Sequence, residues 1–311
     1  MGDKSPENKK PKVSTNENGK VDEETMSQIM ENNGKTVFIT GKTGNKYAKN
    51  DKGPFFVIVK SENNERVSDL KVGRNLTELQ VNGVIQIEKV NSYSTKVTFK
   101  NAFDANNFLD NKKVSEKKLK SYIPQNILLK KGVVDDIPTD ITLQEIAQNI
   151  TCQSEIISVT RLTKRNRNFE FNTPASEKNK KFIDTNKVVV TFRAQELPQK
   201  VYIFRTVRKV ELFRPRVKYC TNCHQYGHIN SVNYPCKNEK SCDKCGENHD
   251  ETKTCELICK FCKKNHKPNS RECERFQMEE KIQLETSYSN RTVQEVRRDL
   301  FQQNKNYYNI L

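Results

Sequence analysis

Apolar residues are scarce in this chain: they make up 33% of its 311 residues, against 30% charged. That is thin for one large core and implies compact modules joined by segments that do not fold, with room for about two or three small domains. No run approaches about 18 apolar residues, so no membrane-spanning helix is expected. The opening Met1-Gly2-Asp3-Lys4 has no apolar signal stretch, which argues against the oxidising compartments where disulfides form. Met1-Gly2 suggests myristoylation, but Pro6 stands where Ser or Thr is required. A phosphate loop is also missing. Gly41-Lys42-Thr43 would need Gly at position 36, which is Thr36, and a helix where Gly44-Asn45 follows. With no nucleophile–base motif either, an enzyme is not expected, nor is a small-molecule substrate.

Thiols are concentrated where other chemistry is absent. Residues 220–273 hold nine of the ten cysteines and fall into three consecutive sets. Cys220, Cys223, His228 and Cys236 read C-x2-C-x4-H-x7-C; Cys242, Cys245, His249 and Cys255 read C-x2-C-x3-H-x5-C; Cys259, Cys262, His266 and Cys273 read C-x2-C-x3-H-x6-C. A C-x2-C pair brings two thiolates of one turn to the same ion, and a later His and Cys complete the tetrahedron zinc prefers. Three zinc ions are therefore expected as cofactors. The metal rather than an apolar core would fold these loops. His224, directly after Cys223, is expected to be a surface or base-contacting residue.

The formal charge is +16, from 55 basic and 39 acidic residues. Three thiolates and one Zn²⁺ per site lower it to about +13. A chain this basic is suited to a polyanion, of which nucleic acid is the usual one. Arg205, Arg208, Lys209, Arg214, Arg216 and Lys218 form a basic arm (205–219) before the first set, and Pro215 argues that it is extended. The three loops differ. The first carries Tyr226 and no charged side chain besides its thiolates. The second carries Asp243, Glu247, Asp250 and Glu251 against Lys244 and Lys253, about −3 with its metal. The third carries Lys260, Lys263, Lys264, Lys267 and Arg271 against Glu272, about +3. The expected division is base stacking by Tyr226 and Phe261, phosphate contact by the arm and the third loop, and a spacer or protein contact in the second.

Upstream, residues 1–52 are polar and read as disordered, with a transient helix near Glu23–Glu31 and a weak import-like cluster, Lys9-Lys10-Pro11-Lys12. Order is expected from Gly53. A strand at Phe55–Val59, helical spacing over Leu70–Leu79, strands at Val84–Ile87 and Lys96–Phe99, a helix through Ala102–Leu109 and a strand at Leu119–Ile123 give β-α-β-β-α-β over 53–124. The pattern repeats over 128–204. It runs through a strand at Gly132–Val134, a capping box Thr142–Glu145 opening a helix, strands at Ile156–Leu162 and Lys187–Phe192, and a closing strand at Lys200–Phe204. A polar loop with Arg161, Lys164, Arg165 and Arg167 lies between the long strands, and Cys152 is expected in the core. The fold class is thus α+β, two tandem ferredoxin-like (RNA-recognition-like) modules, then zinc loops over 220–273 and a helical tail over 274–311. In the second module the strands that would stack bases lack aromatics apart from Phe192, so these sheets suit a scaffold or protein contact. The tail opens at Phe276, Met278, Ile282 and Leu284, and a second capping box, Thr292–Glu295, starts a helix whose face is Val293, Val296 and Leu300. That face would pack on the third loop or on another copy of the chain.

KYAKNDKGPFFVIV (46–59), GVVDDIPTDITLQEI (132–146), KVVVTFRAQELPQKVYIF (187–204), KYCTNCHQYGHI (218–229) and ECERFQMEEKI (272–282) resemble the Gag-like first-open-reading-frame proteins of insect jockey-type non-LTR retrotransposons, or host genes derived from them. The resemblance implies tandem RNA-recognition-like folds and three zinc knuckles with the twelve ligands above. It further implies binding of RNA and single-stranded DNA, nucleic-acid chaperoning, and self-association into ribonucleoprotein particles, cytoplasmic or nuclear. One departure is the seven residues between His228 and Cys236, where such first knuckles usually have four. The alternative is a protein-interaction scaffold or a domesticated host RNA-binding protein, with the modules and second knuckle binding protein partners.

Overall fold

The computed structural model describes residues 36–39, 45–63, 65–169, 181–232, 234–249 and 255–303. The helix expected at Glu23–Glu31, the cluster Lys9-Lys10-Pro11-Lys12, Gly41-Lys42-Thr43, and Asp250, Glu251 and Lys253 lie outside the described residues. The protein is a mixed α+β chain with antiparallel sheets and C-terminal helices. Among the described residues no helix is long and apolar enough to cross a membrane. Two compact units are defined by the described residues of Asn45–Lys130, Ala194–Glu196 and Leu212–Leu311, and by those of Met1–Gly44, Lys131–Arg193 and Leu197–Glu211.

In the first unit, β2 (Phe55–Ser61), β3 (Val84–Asn91), β4 (Ser94–Phe99) and β5 (Leu119–Tyr122) form a four-stranded antiparallel sheet in the order β3-β4-β2-β5. Alternation along β2 and β4 splits it into two faces. Val57 opposite Val97 and Phe55 opposite Phe99 point to one side. There Phe99 meets Phe108 of α2 (Ala102–Asp110) at 5.2 Å, and α1 (Asp69–Glu78) buries Val72 and Leu76 in the same core. Asn101 caps α2 by accepting from the Asp104 N–H, and a short α3 (Lys112–Glu116) leads into β5. Tyr47 belongs to this core although it lies in the 1–52 stretch read as disordered. It is 4% exposed, and its hydroxyl bonds both the N–H and the carbonyl of Phe56.

The opposite face of the sheet carries Phe56, Ile58 and Lys96, and the C-terminal helices dock beside it. Helices α6 (Glu274–Tyr288) and α7 (Val293–Gln303) pair through Met278, Ile282 and Val296, with Val293 and Leu300 alongside. The capping box at Thr292 forms as expected, and Glu295 uses its other oxygen to accept from Lys96 Nζ at 2.5 Å. Lys96 itself lies 4.8 Å above the Phe56 ring. Asn126, in α4 (Gln125–Leu128), donates to the carbonyls of Thr286 and Arg291. Lys130 donates to Asn126 O and Asn290 Oδ1, and burial pushes its amine down to about 8. The hydrophobic stripe expected to meet the third zinc loop or another copy instead closes a helical hairpin that packs on its own chain. Burial pushes the Glu295 carboxyl up, but donation from Lys96 and Thr292 outweighs it and holds the group below the usual range. The docking is therefore complete above the ordinary glutamate range and weakens on acidification below it. Glu295→Gln keeps the cap and loses the charge-assisted bond; it should lower stability by about 1.5 kcal/mol, read by thermal melting.

The second unit is built on a long hairpin, β8 (Glu155–Arg165) with β9 (Phe182–Arg193). The main sheet runs β1-β8-β9-β6-β12, with β1 at Thr36–Phe38, β6 at Leu129–Val134 and β12 at Glu211–Leu212. Strand β1 corrects the disordered reading of 1–52 a second time: Thr36–Phe38 pairs with β8, and Thr36 Oγ1 lies 3.0 Å from Thr160 Oγ1. Helix α5 (Leu143–Asn149) starts on the expected capping box. The strand expected to close the sheet does not do so. Segment Lys200–Ile203 is β10 of a separate three-stranded sheet, β11-β10-β7, with β7 at Ile150–Thr151 and β11 at Thr206–Lys209. Its place beside β6 goes to β12, because Gly132 leaves room there: a Cβ would sit 2.1 Å from Val210 Cγ1. No helix lies between β9 and β10; residues 194–199 form bends that end at Pro198-Gln199. Two further expectations are corrected. Arg161 is not a loop cation but lies in β8, 5% exposed, donating to the carbonyls of Ile137, Thr185 and Ile141. Cys152 is only partly buried, beside the Lys200 carbonyl at 3.6 Å.

Candidate metal centre

The three Cys-x2-Cys segments adopt one local structure. In each, the first cysteine's N–H donates to the carbonyl five residues on: Cys220 to Gln225, Cys242 to Glu247, Cys259 to Lys264. The residue just after the second cysteine donates back to the first cysteine's carbonyl. That residue is left-handed in every case: His224 at φ 51, Gly246 at φ 82, Lys263 at φ 57. The tight turn aims both thiols of the pair to one point.

The later His and Cys close each set. Cys220, Cys223, His228 and Cys236 form one group, Cys242, Cys245, His249 and Cys255 a second, and Cys259, Cys262, His266 and Cys273 a third, with the donor atoms of each group within 4.8 Å of one another. Sulfur pairs lie at 3.7 Å (Cys242–Cys255) and 3.8 Å (Cys259–Cys273, Cys262–Cys273). Two sulfurs held tetrahedrally at the Zn–S distance of about 2.3 Å stand about 3.8 Å apart, so the spacing fits zinc. The imidazole Nε2 of His228 lies 3.4 and 3.3 Å from Cys223 and Cys236, and that of His266 lies 3.0 Å from Cys262. The long spacer before Cys236 does not displace it, since Asn230 accepts from the Cys236 N–H at 2.9 Å and folds the extra residues back. All ten cysteines are free thiols.

N–H donors stabilise the thiolate form that a metal needs. Burial pushes the Cys223 thiol up, but the Asn238 side chain and the Gln225 N–H outweigh it and bring it to about 6. The N–H groups of Cys245 and Lys244 bring Cys242 to about 6. Burial pushes Cys273 up to about 12, and neighbouring thiolates push Cys255 to about 11. Within a set, then, the proton is shared unequally until a cation compensates the charge.

The loops are not beads on a string. Lys260 of the third loop donates from Nζ to Cys223 O in the first (3.0 Å) and to Gly246 O in the second (2.9 Å), while its N–H donates to Cys245 O. Desolvation lowers its pKa. Ser241 bonds the carbonyls of Asn222 and Cys223. His224, expected at the surface, is 6% exposed and bridges Tyr219 Oη (2.6 Å) and Asp243 Oδ1 (3.0 Å). Glu247 pairs with Lys263. Two acids of the second loop thus face its neighbours.

The residues expected to contact nucleic acid are divided by the fold. Tyr226 and Phe261 do come together, with ring centroids 5.0 Å apart, but Tyr226 also packs on Tyr219 and donates to Pro268 O. Burial pushes both tyrosine hydroxyls up. Arg275 of α6 lies 5.9 Å from the Tyr226 ring. Lys260 is committed to the loop junction. Lys263, Lys264 and Lys267 are exposed, Lys264 beside Glu274 at 2.6 Å. Arg208 and Lys209 lie in β11, Arg205 in the turn before it, whereas Arg214, Arg216 and Lys218 are exposed at alternate positions of a segment without regular secondary structure that runs into Cys220. Sequence reading missed the junction formed by Lys260, Asp243 and His224, whose partners are backbone carbonyls and distant side chains.

These features define a chain with three Cys-Cys-His-Cys metal-binding clusters fused into one body. No protein-family model matches the sequence, and no curated protein matches it.

Proposed function

We propose that the protein is a non-enzymatic, zinc-dependent binder of RNA and single-stranded DNA. The observation that carries this reading is the fused triple cluster with Arg214, Arg216 and Lys218 exposed at alternate positions of the segment that enters it. Each cluster offers four protein ligands, which leaves zinc no open position for water and makes it structural. The finer reading rests on the resemblance: a Gag-like protein that packages and chaperones retrotransposon RNA in a ribonucleoprotein particle, cytoplasmic or nuclear, and self-associates there. Both β-rich stretches are then RNA-recognition-like; the order β3-β4-β2-β5 with helices on one face supports this for the first. A scaffold function draws on the acidic second loop, but Asp243 and Glu247 point to neighbouring loops, which weakens it.

Six exposed cations (Arg214, Arg216, Lys218, Lys263, Lys264, Lys267) each meeting one phosphate give a log–log salt slope of about −4 on a single strand, or about 300-fold weaker binding between 50 and 200 mM salt. Fluorescence anisotropy with an unstructured oligonucleotide measures it. A Kd that hardly moves with salt would overturn the reading, and retained RNA binding after replacing these residues, with loss of a protein partner, would favour the scaffold. Crosslinking and sequencing of bound RNA tests packaging, through enrichment of one transposon transcript.

A further inference from the structure

The outward face of the small sheet β7–β10–β11 holds chemistry that neither the metal loops nor the basic segment before Cys220 uses. Along β10, Val201 (0% exposed) and Ile203 (4%) point into the core, so alternation turns Lys200 and Tyr202 outward, and Phe204 in the turn that follows is exposed. Tyr202 is in register with Thr151 of β7 on one side and Val207 of β11 on the other, and Val207 is 54% exposed. The Lys200 ammonium lies 5.6 Å from the Tyr202 ring centroid. Beside these rings opens a cavity of about 540 Å³ lined by Gln148, Asn149, Thr151, Tyr202, Phe204 and Arg205. Two aromatic rings, two amides, a hydroxyl and a guanidinium line it, with no carboxylate among the described residues.

The turn that presents this face is strained. Ile203 pairs with Thr206, so Phe204 and Arg205 are the two central residues of a two-residue hairpin, at φ 50 and φ 64. Such turns favour Asn-Gly, because a bulky side chain in the left-handed region crowds its own backbone. Phe204 makes no compensating burial: it is 46% exposed. Hairpin stability therefore does not account for the choice of Phe and Arg here, whereas holding a ring and a guanidinium at the mouth of the cavity does.

The geometry points to this face as a binding site for unpaired nucleotides. A base stacks against Tyr202 and Phe204, the amides of Gln148 and Asn149 meet its edge, and Arg205 and Lys200 take the flanking phosphates. This site deepens the nucleic-acid reading above and rests on it.

The test uses the full-length, zinc-loaded protein, an unstructured 4-thiouridine RNA, and two variants: Tyr202→Ser, and the double variant Phe204→Asn with Arg205→Gly. The double variant installs the favoured turn, so its melting temperature should rise while its RNA affinity falls about tenfold. Tyr202→Ser should weaken binding by a similar factor. In the native protein, photocrosslinks should map to residues 200–205. If the native protein binds RNA but crosslinks only within 214–267, and both variants bind like it, this site is overturned and the nucleic-acid reading stands. A lower melting temperature in the double variant would show that Phe204 serves packing, and would also overturn the site. If the native protein binds no RNA, the broader reading fails and this one falls with it. Capture of a peptide by the same face without RNA binding gives that second result.

Discussion

Removing zinc should unfold residues 219–273 and leave the first sheet standing. The aliphatic side chains in the metal region lie at the surface: Ile229 is 56% exposed, Val232 99%, Leu257 40% and Ile258 39%. Among the described residues the side chains buried there are Cys220, Cys223, Cys245, Cys259 and Cys273, with His224, Ser241 and a single proline, Pro268. Thiols and polar groups cannot offset the roughly 1–2 kcal/mol per residue of backbone entropy that folding costs. Metal coordination can, at an apparent value of about 10–16 kcal/mol for a structural zinc near neutral pH. The first sheet has its own core of Phe56, Val57, Val59, Val97, Phe99 and Phe108 and needs no metal. Native mass spectrometry should give three zinc ions per chain. After chelation, hydrogen exchange should show amides of 219–273 fully exposed while those of β2 and β4 keep their protection. Acidification should do the same as chelation, since protons compete for the thiolates. Two zinc ions in place of three would single out one incomplete set. Protected amides in the metal-free loops would mean that something other than metal holds them.

How much of this was legible in the sequence depends on the distance over which each pairing acts. The grouping of the twelve Cys and His residues into three clusters could be read directly, because a C-x2-C turn is local and its hydrogen bonds span only four or five residues. The first sheet was legible for a similar reason: Val84–Ile87 and Lys96–Phe99 are joined by a short turn, and alternation shows which residues share a face. The second β-rich stretch was read too simply. Whether Lys200–Ile203 joins the main sheet depends on Val210 fitting against Gly132, a pairing no local pattern announces. Tyr47 and Thr36 sit in polar surroundings whose average hides one aromatic anchor and one strand. His224 was misread as a surface residue, and the junction role of Lys260 was missed, for the same physical reason. A polar side chain beside a metal loop looks solvent-facing until its distant acceptors are known, and those of Lys260 lie 37 and 14 residues away.

Lys260→Met should therefore damage the metal body itself, whatever it does to nucleic acid. In the native chain one ammonium satisfies Cys223 O and Gly246 O at a site desolvated enough to lower its pKa. A thioether donates nothing, so two carbonyls at the junction of three loops lose a charge-assisted partner, each worth about 1.5–3 kcal/mol. Water reaching the partly open junction recovers some of this, leaving an expected loss of about 2–3 kcal/mol. Because Lys260 stands in the third loop and its acceptors in the other two, the loss should appear mainly as weaker zinc retention by the Cys220 and Cys242 sets. The Cys259 set should hold its metal. Competition with a graded series of chelators, followed by native mass spectrometry, separates the three. Lys263→Met is the control. It removes an equal charge only three residues away, but its pair with Glu247 is solvent-exposed at both ends, so it should cost less than about 1 kcal/mol and leave zinc retention unchanged. If Lys260 were instead a phosphate-gripping residue, the two variants would behave alike, each weakening RNA binding with normal zinc retention. The junction geometry requires that they differ.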